Sequence, residues 1–126
     1  MKKSKASKAS SIEMQVMWNR LLSVVDEQAQ ALMHTAFSPI VRECGDLSAG
    51  IFDLQGRMLA QAVTGTPGHI NTMAEAVKTL RDRFALQEMK PGDIYVTNDP
   101  WIASGHLNDF LLLMPAFRKG RIVGFT

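Results

Sequence analysis

The sequence predicts an α+β fold, with a mixed and largely antiparallel sheet and two helices packed on one side of it. Three observations point there. A long stretch from Ile12 to about Ala36 carries apolar residues at helical spacing, and a second such stretch begins near Asn71. The remaining apolar runs are short, and glycine-bearing turns divide them. Short turns between neighbouring strands favour antiparallel pairing, and helices gathered beside such a sheet give the α+β class.

The first helix rests on Met14, Met17, Leu21, Val24, Val25, Leu32 and Met33, three or four residues apart with no Gly or Pro among them. Ser11 is placed to cap its start, and Ser38-Pro39 closes it. A loop runs through Gly45. Leu47 to Phe52 and Arg57 to Val63 then flank Asp53-Leu54-Gln55-Gly56, the pattern of a hairpin with a longer loop. After Thr64-Gly65-Thr66-Pro67-Gly68, the second helix starts at Asn71 or Thr72, with Met73, Ala76, Val77, Leu80 and Phe84 on one face. Pro91-Gly92-Asp93 turns into a strand over 94–97, which Asn98-Asp99-Pro100 ends. Two further strands are expected over 110–114 and 121–126, around Lys119-Gly120. The last of them is still apolar at Thr126, so the chain reads as the N-terminal portion of a larger fold. Residues 12–126 form that portion, behind a basic tail over residues 1–11.

Composition narrows the function classes. The formal net charge is +2, but Lys2, Lys3, Lys5 and Lys8 stand in the tail, leaving ten basic against twelve acidic residues beyond it. A nucleic-acid partner is not expected, since no basic stripe marks the folded part. A single cysteine, Cys44, allows no internal disulfide and suggests a reducing compartment. No apolar run approaches the roughly 20 residues of a membrane helix. The expected location is the cytoplasm.

Two loops collect polar residues. The first is Arg42-Glu43-Cys44-Gly45-Asp46-Leu47-Ser48, and the second runs from Thr97 to Asp109. In the second, His106 and Asp109 stand three apart at a strand entrance and can turn an imidazole and a carboxylate toward one ion. These are donors that zinc or manganese accepts. Alone, His-x-x-Asp is a weak signal and reads first as a loop pair bonded to backbone. Asn98 and Asp99 read first as turn formers ahead of Pro100. His69 reads as a loop histidine ahead of the second helix, His34 as a helix-surface residue, and Asp46 as a cap or turn residue.

Taken together, these stretches resemble the hydantoinase B/oxoprolinase family, which includes the metal-bearing subunits of acetone and acetophenone carboxylases. The resemblance is carried by Trp18 to Ser23, Thr35-Ala36-Phe37-Ser38-Pro39, Arg42-Glu43, Asp46-Leu47-Ser48, Phe52-Asp53 with Gly56-Arg57, and Leu59-Ala60-Gln61. It continues through Gly68-His69-Ile70, Pro91-Gly92-Asp93, Asn98-Asp99-Pro100 and Gly105-His106-Leu107-Asn108-Asp109, in order from about residue 12 to 126.

The resemblance implies a divalent metal, zinc or manganese, held by Asp46, His106 and Asp109, with a further His expected after Thr126. Asn98 and Asp99 would shape or line the pocket, and Arg42 would meet a phosphoryl oxygen. Two departures touch substrate class. Ala103-Ser104-Gly105 stands where the family has Gly-Gly-Thr, and Asn108 where it has Pro. The implied activity is ATP-dependent hydrolysis of hydantoin, oxoproline or another cyclic amide. A hydantoinase A-like partner subunit would bind ATP and phosphorylate the substrate in a hetero-oligomer. The alternatives are a carboxylase subunit acting on a ketone such as acetone or acetophenone, and a non-catalytic interaction domain. The chain has no G-x-x-x-x-G-K phosphate loop, so it is expected to be inactive alone.

Overall fold

The computed structural model describes residues 10–63 and 67–126. The expected tail therefore lies, over residues 1–9, outside the described residues. The first helix, α1, runs Ser11–Thr35. Its N-cap is Ser10, one residue before the expected Ser11. The Glu13 N–H donates to Ser10 Oγ and the Ser10 N–H to Glu13 Oε2, a reciprocal capping box. Only Val25 and Ala29 of α1 are buried. Ile12, Met14, Val16, Met17, Trp18, Val24 and Leu32 remain exposed.

A short helix, α2 (Pro39–Cys44), occupies the expected loop and ends at Gly45 in the left-handed conformation, φ 64°. Six residues are too few to show a helical period, but Pro at the first turn and Gly at the end are the usual signals. Strands β1 (Gly50–Phe52) and β2 (Met58–Gln61) form the expected hairpin. Helix α3 (Pro67–Arg83) begins at least one turn earlier than its apolar pattern suggested. Pro67 opens it, and proline's fixed φ and missing N–H suit a first turn. The remaining elements are all strands: β3 (Tyr95–Thr97), β4 (Leu111–Leu113), β5 (Pro115–Arg118) and β6 (Arg121–Phe125). The single strand expected over 110–114 is β4, and β5 follows it directly, with Met114 between them.

The strands make two antiparallel sheets, β2-β1-β6-β5 and β3-β4. The α+β class holds, with one correction: the helices cover opposite faces of the larger sheet. Ile51 pairs with Ala60 and packs with Val25, Ala29, Leu47 and Ala49 beneath α1. Phe52 pairs with Met58 and Phe125 and packs with Val77, Leu80, Met89 and Leu113 beneath α3. Adjacent strand residues point to opposite faces. The extra residue Leu59 bulges β2 so that both of its neighbours meet their partners. The sequence pattern concealed this because β1 is apolar on both faces, whereas one-sided packing needs alternation.

Two close fits hold the frame. Gly56 (φ 77°) lies so near α3 that a Cβ there would be 3.1 Å from Lys78 Cα. At Gly124, a Cβ would come within 2.6 Å of the Phe52 carbonyl oxygen. Beside the hairpin turn, Asp53 accepts hydrogen bonds from the Gln55 and Arg57 N–H groups, 2.9 Å each, and from Arg57 Nε at 2.7 Å. Its surroundings, by removing water, disfavour the charge. The Arg57 N–H, the Arg57 guanidinium and the Gln55 N–H outweigh that and hold the carboxyl below its ordinary value.

Two outcomes follow from this packing. Gly124→Ala must separate β6 from β1, and urea unfolding should register a loss of about 1–3 kcal/mol or more. Because the Asp53 carboxyl is lowered on folding, its stabilisation is present above the ordinary value of 3.8 and fades as pH falls through the lower folded value. Asp53→Asn should therefore flatten the acid limb of a stability-versus-pH curve and leave its shape unchanged above about pH 6.

Candidate metal centre

The residues singled out by sequence lie on three segments that the fold brings together. The loop between α2 and β1 supplies Asp46 and Ser48, the first turn of α3 supplies His69, and the loop from β3 to β4 supplies His106 and Asp109. The third segment is the longest and is held by its own polar groups. Asn98 Nδ2 donates to the Leu107 carbonyl at 3.2 Å, tying the two arms of the loop together. Asp99 Oδ1 accepts from the Trp101 N–H at 3.0 Å, while the Asp99 carbonyl accepts from Ile102 and Ala103. The Asp99 N–H donates to Thr97 Oγ1. Asn98 and Asp99 thus shape the loop that presents His106. Gly105 (φ 88°) supplies the left-handed step just before that histidine.

At the loop's end, His106 Nε2 stands 3.1 Å from Asp109 Oδ2. The same oxygen lies 3.4 Å from His69 Nε2, and Ser48 Oγ is 3.5 Å from His69 Nδ1. Ser48, His69, Asp109 and His106 therefore form one connected row. His69 is the most enclosed of the three titratable members, its side chain 23% exposed against 50% for His106 and 35% for Asp109. Oδ2 itself is buried, yet no hydrogen bond is aligned on it. Ser104 Oγ, in the same loop, is also buried without a partner.

A carboxylate oxygen in this position suits a divalent cation. An acceptor that is removed from water costs free energy unless something positive faces it. Two ligands bound to zinc at 2.0–2.2 Å lie about 3.3–3.6 Å apart at tetrahedral angles, close to the spacing seen between Oδ2 and either ring nitrogen. The row is open rather than closed, for among the described residues no three His, Cys, Asp or Glu side chains are grouped as they would be around an ion.

Of the three expected ligands, His106 and Asp109 meet. Asp46 follows the cap residue Gly45, is exposed, and donates its N–H to the Ile40 carbonyl at 3.3 Å. Its loop reaches the row through Ser48, two residues on. Arg42 lies exposed in the last turn of α2, its guanidinium 3.1 Å from Glu43 Oε1. His69 is the residue that sequence spacing passed over. It is a first-turn residue of α3, not a loop histidine, and α3 is fixed by Val77 and Leu80 in the core. Only the earlier helix start, signalled by Pro67, could have placed it there.

A family model described as hydantoinase B/oxoprolinase matches residues 10–126. An uncharacterized protein of Methanocaldococcus jannaschii is 35% identical over 82% of this chain, which covers 18% of that protein. The 5-oxoprolinase 1 of Arabidopsis thaliana is 26% identical over 94% of this chain, covering 9% of its length. A nucleotide-free structure of acetone carboxylase superposes with a TM-score of 0.80 at 25% identity, over 98% of this chain and 16% of the other. The chain spans less than a fifth of each of these proteins. The chain belongs to the hydantoinase B/oxoprolinase family, whose model spans all of its described residues.

Proposed function

We propose that the chain is part of the metal-dependent subunit of an ATP-dependent hydrolase acting on a cyclic amide such as hydantoin or 5-oxoproline. The observation that carries this reading is the buried, hydrogen-bond-free Asp109 Oδ2 with an imidazole nitrogen on either side. The resemblance to the 5-oxoprolinase 1 of Arabidopsis thaliana supplies the substrate class. A hydantoinase A-like partner subunit binds ATP and phosphorylates the amide oxygen, which makes the ring carbon open to water. The work belongs in the cytoplasm, where ATP is supplied.

Asp109 and His106 would hold the ion, zinc or manganese, with Asp46 approaching from the α2–β1 loop. When bound there, such an ion supplies hydroxide near neutral pH and polarises the oxygen under attack. The chain's own groups orient the reaction. Asn98 and Asp99 keep the loop in the shape that presents His106, and Arg42 offers a planar fork to a phosphoryl oxygen once it leaves Glu43. A second reading, a subunit of an acetone- or acetophenone-type carboxylase, is favoured by the close superposition on acetone carboxylase.

The test combines the purified chain with its ATP-binding partner, MnCl2 or ZnCl2, ATP and 5-oxoproline. Glutamate and ADP should appear together, and the chain without its partner should form neither. Turnover by the isolated chain would overturn the two-subunit account. Consumption of acetone and bicarbonate in place of 5-oxoproline would establish the second reading. His106→Ala should lower kcat/KM by roughly 100-fold or more, since it removes a ligand and not only its support.

A further inference from the structure

We infer that the turn joining β5 to β6 binds an acidic, partly apolar segment of a protein partner, at a site apart from the candidate metal centre. The first ground is uncompensated charge. Arg118, Lys119 and Arg121 are all exposed, and they line an open cleft of about 680 Å3 together with Leu54, Ile122 and Val123. Among the described residues, none of these three cationic side chains makes an ion pair or a hydrogen bond. The carboxylates around Leu54 are already engaged. Asp53 is held by Arg57, and Asp82 by Arg81, whose Nε also donates to the Leu54 carbonyl at 3.2 Å. The cleft lies past the end of β1, whereas Ser48 and the row it opens lie ahead of its start.

The second ground is that the turn carries these charges against the interest of the fold. Arg118 and Arg121 are Cα partners across β5 and β6. Like charges directly opposite one another weaken a strand pair. Between them, Lys119 and Gly120 both take positive φ, 49° and 74°. A two-residue turn of that kind favours Asn-Gly, and a lysine Cβ is strained there. Neither choice helps β5 meet β6, so pairing does not account for them, whereas an anion facing the turn does. The cleft also selects the kind of anion. Its other wall is apolar. The pairing shifts so that Val123 has no partner between Ile122 and Gly124, and its side chain is left 54% exposed. A small anion gains nothing from Leu54, Ile122 and Val123. A peptide with carboxylates beside an aliphatic side chain meets both walls, through the guanidinium forks and through apolar burial.

The test uses the purified chain and three probes. These are a fluorescein-labelled peptide of glutamates around a central leucine, the same peptide with serine for leucine, and inorganic tripolyphosphate. Fluorescence anisotropy follows the peptides, and displacement of the first follows tripolyphosphate. The leucine peptide should bind, and Arg121→Glu should weaken it by roughly tenfold or more. Lys119→Asn and Val123→Ser should each lower its affinity by a smaller factor. Lys2, Lys3, Lys5 and Lys8 are present in every variant, so their attraction for the probe cancels. Urea unfolding gives the second readout. Arg121→Glu removes the facing like charges and Lys119→Asn relieves the turn, so both should raise the unfolding midpoint while weakening binding. Lost binding in a more stable protein cannot be laid to misfolding. Equal affinity for the serine peptide, or displacement by tripolyphosphate that Val123→Ser leaves unchanged, overturns the assignment in favour of a small-anion site. No binding by the unaltered chain, or binding that Arg121→Glu leaves intact, overturns it outright. A lowered urea midpoint in both Arg121→Glu and Lys119→Asn removes the second ground and overturns it as well.

Discussion

Phe52 is where the two halves of the chain are joined. Its backbone pairs with Phe125, its carbonyl oxygen lies against Gly124, and its ring is buried among residues of α3 and β4. Without that junction, the β1–β2 hairpin under α1 and the later strands would be separate units, each too small to bury a core. The site depends on the same junction. Ser48 lies just ahead of β1, whereas His106 and Asp109 lie just ahead of β4. His69 leads the helix that packs on Phe52. The register at one residue therefore sets distances between groups more than 50 positions apart in sequence.

Much of this arrangement was legible in the sequence, and the misses share physical causes. The period of α1, the hairpin around Gly56 and the strand endings at Asn98-Asp99-Pro100 express local rules, and local rules are written in consecutive residues. The sidedness of the helices is not local. It depends on Ile51 and Phe52 being apolar together and on Leu59 standing out of register, and neither shows until the strands are paired. Helix α2 was missed because six residues carry caps but no period, and the start of α3 because Pro67 and Gly68 read as the end of a loop.

The site divides along the same line. His106 and Asp109 could be singled out because they stand three positions apart, so one loop brings them together. The contact of His69 with Asp109 spans 40 residues and needed the fold. Asn98 and Asp99 carry both of the meanings given to them, since the turn they shape is what aims His106. The row from Ser48 to His106 is also consistent with the family. Each of its members lies in a stretch that carries the family resemblance, yet their common meeting point on one carboxylate oxygen is a property of the folded chain.

The exposed apolar residues at the start of α1 have a consequence for how the chain behaves in bulk. A helix that leaves Ile12, Val16, Met17 and Trp18 in water exposes a patch whose surface free energy falls whenever it is covered. Such a surface is most sensitive to ions excluded from it. Sulfate and phosphate raise its interfacial tension, while urea lowers it. Salting-out conditions thus act on this end of the helix, as they do on the exposed side chains of Phe37, Val63 and Trp101.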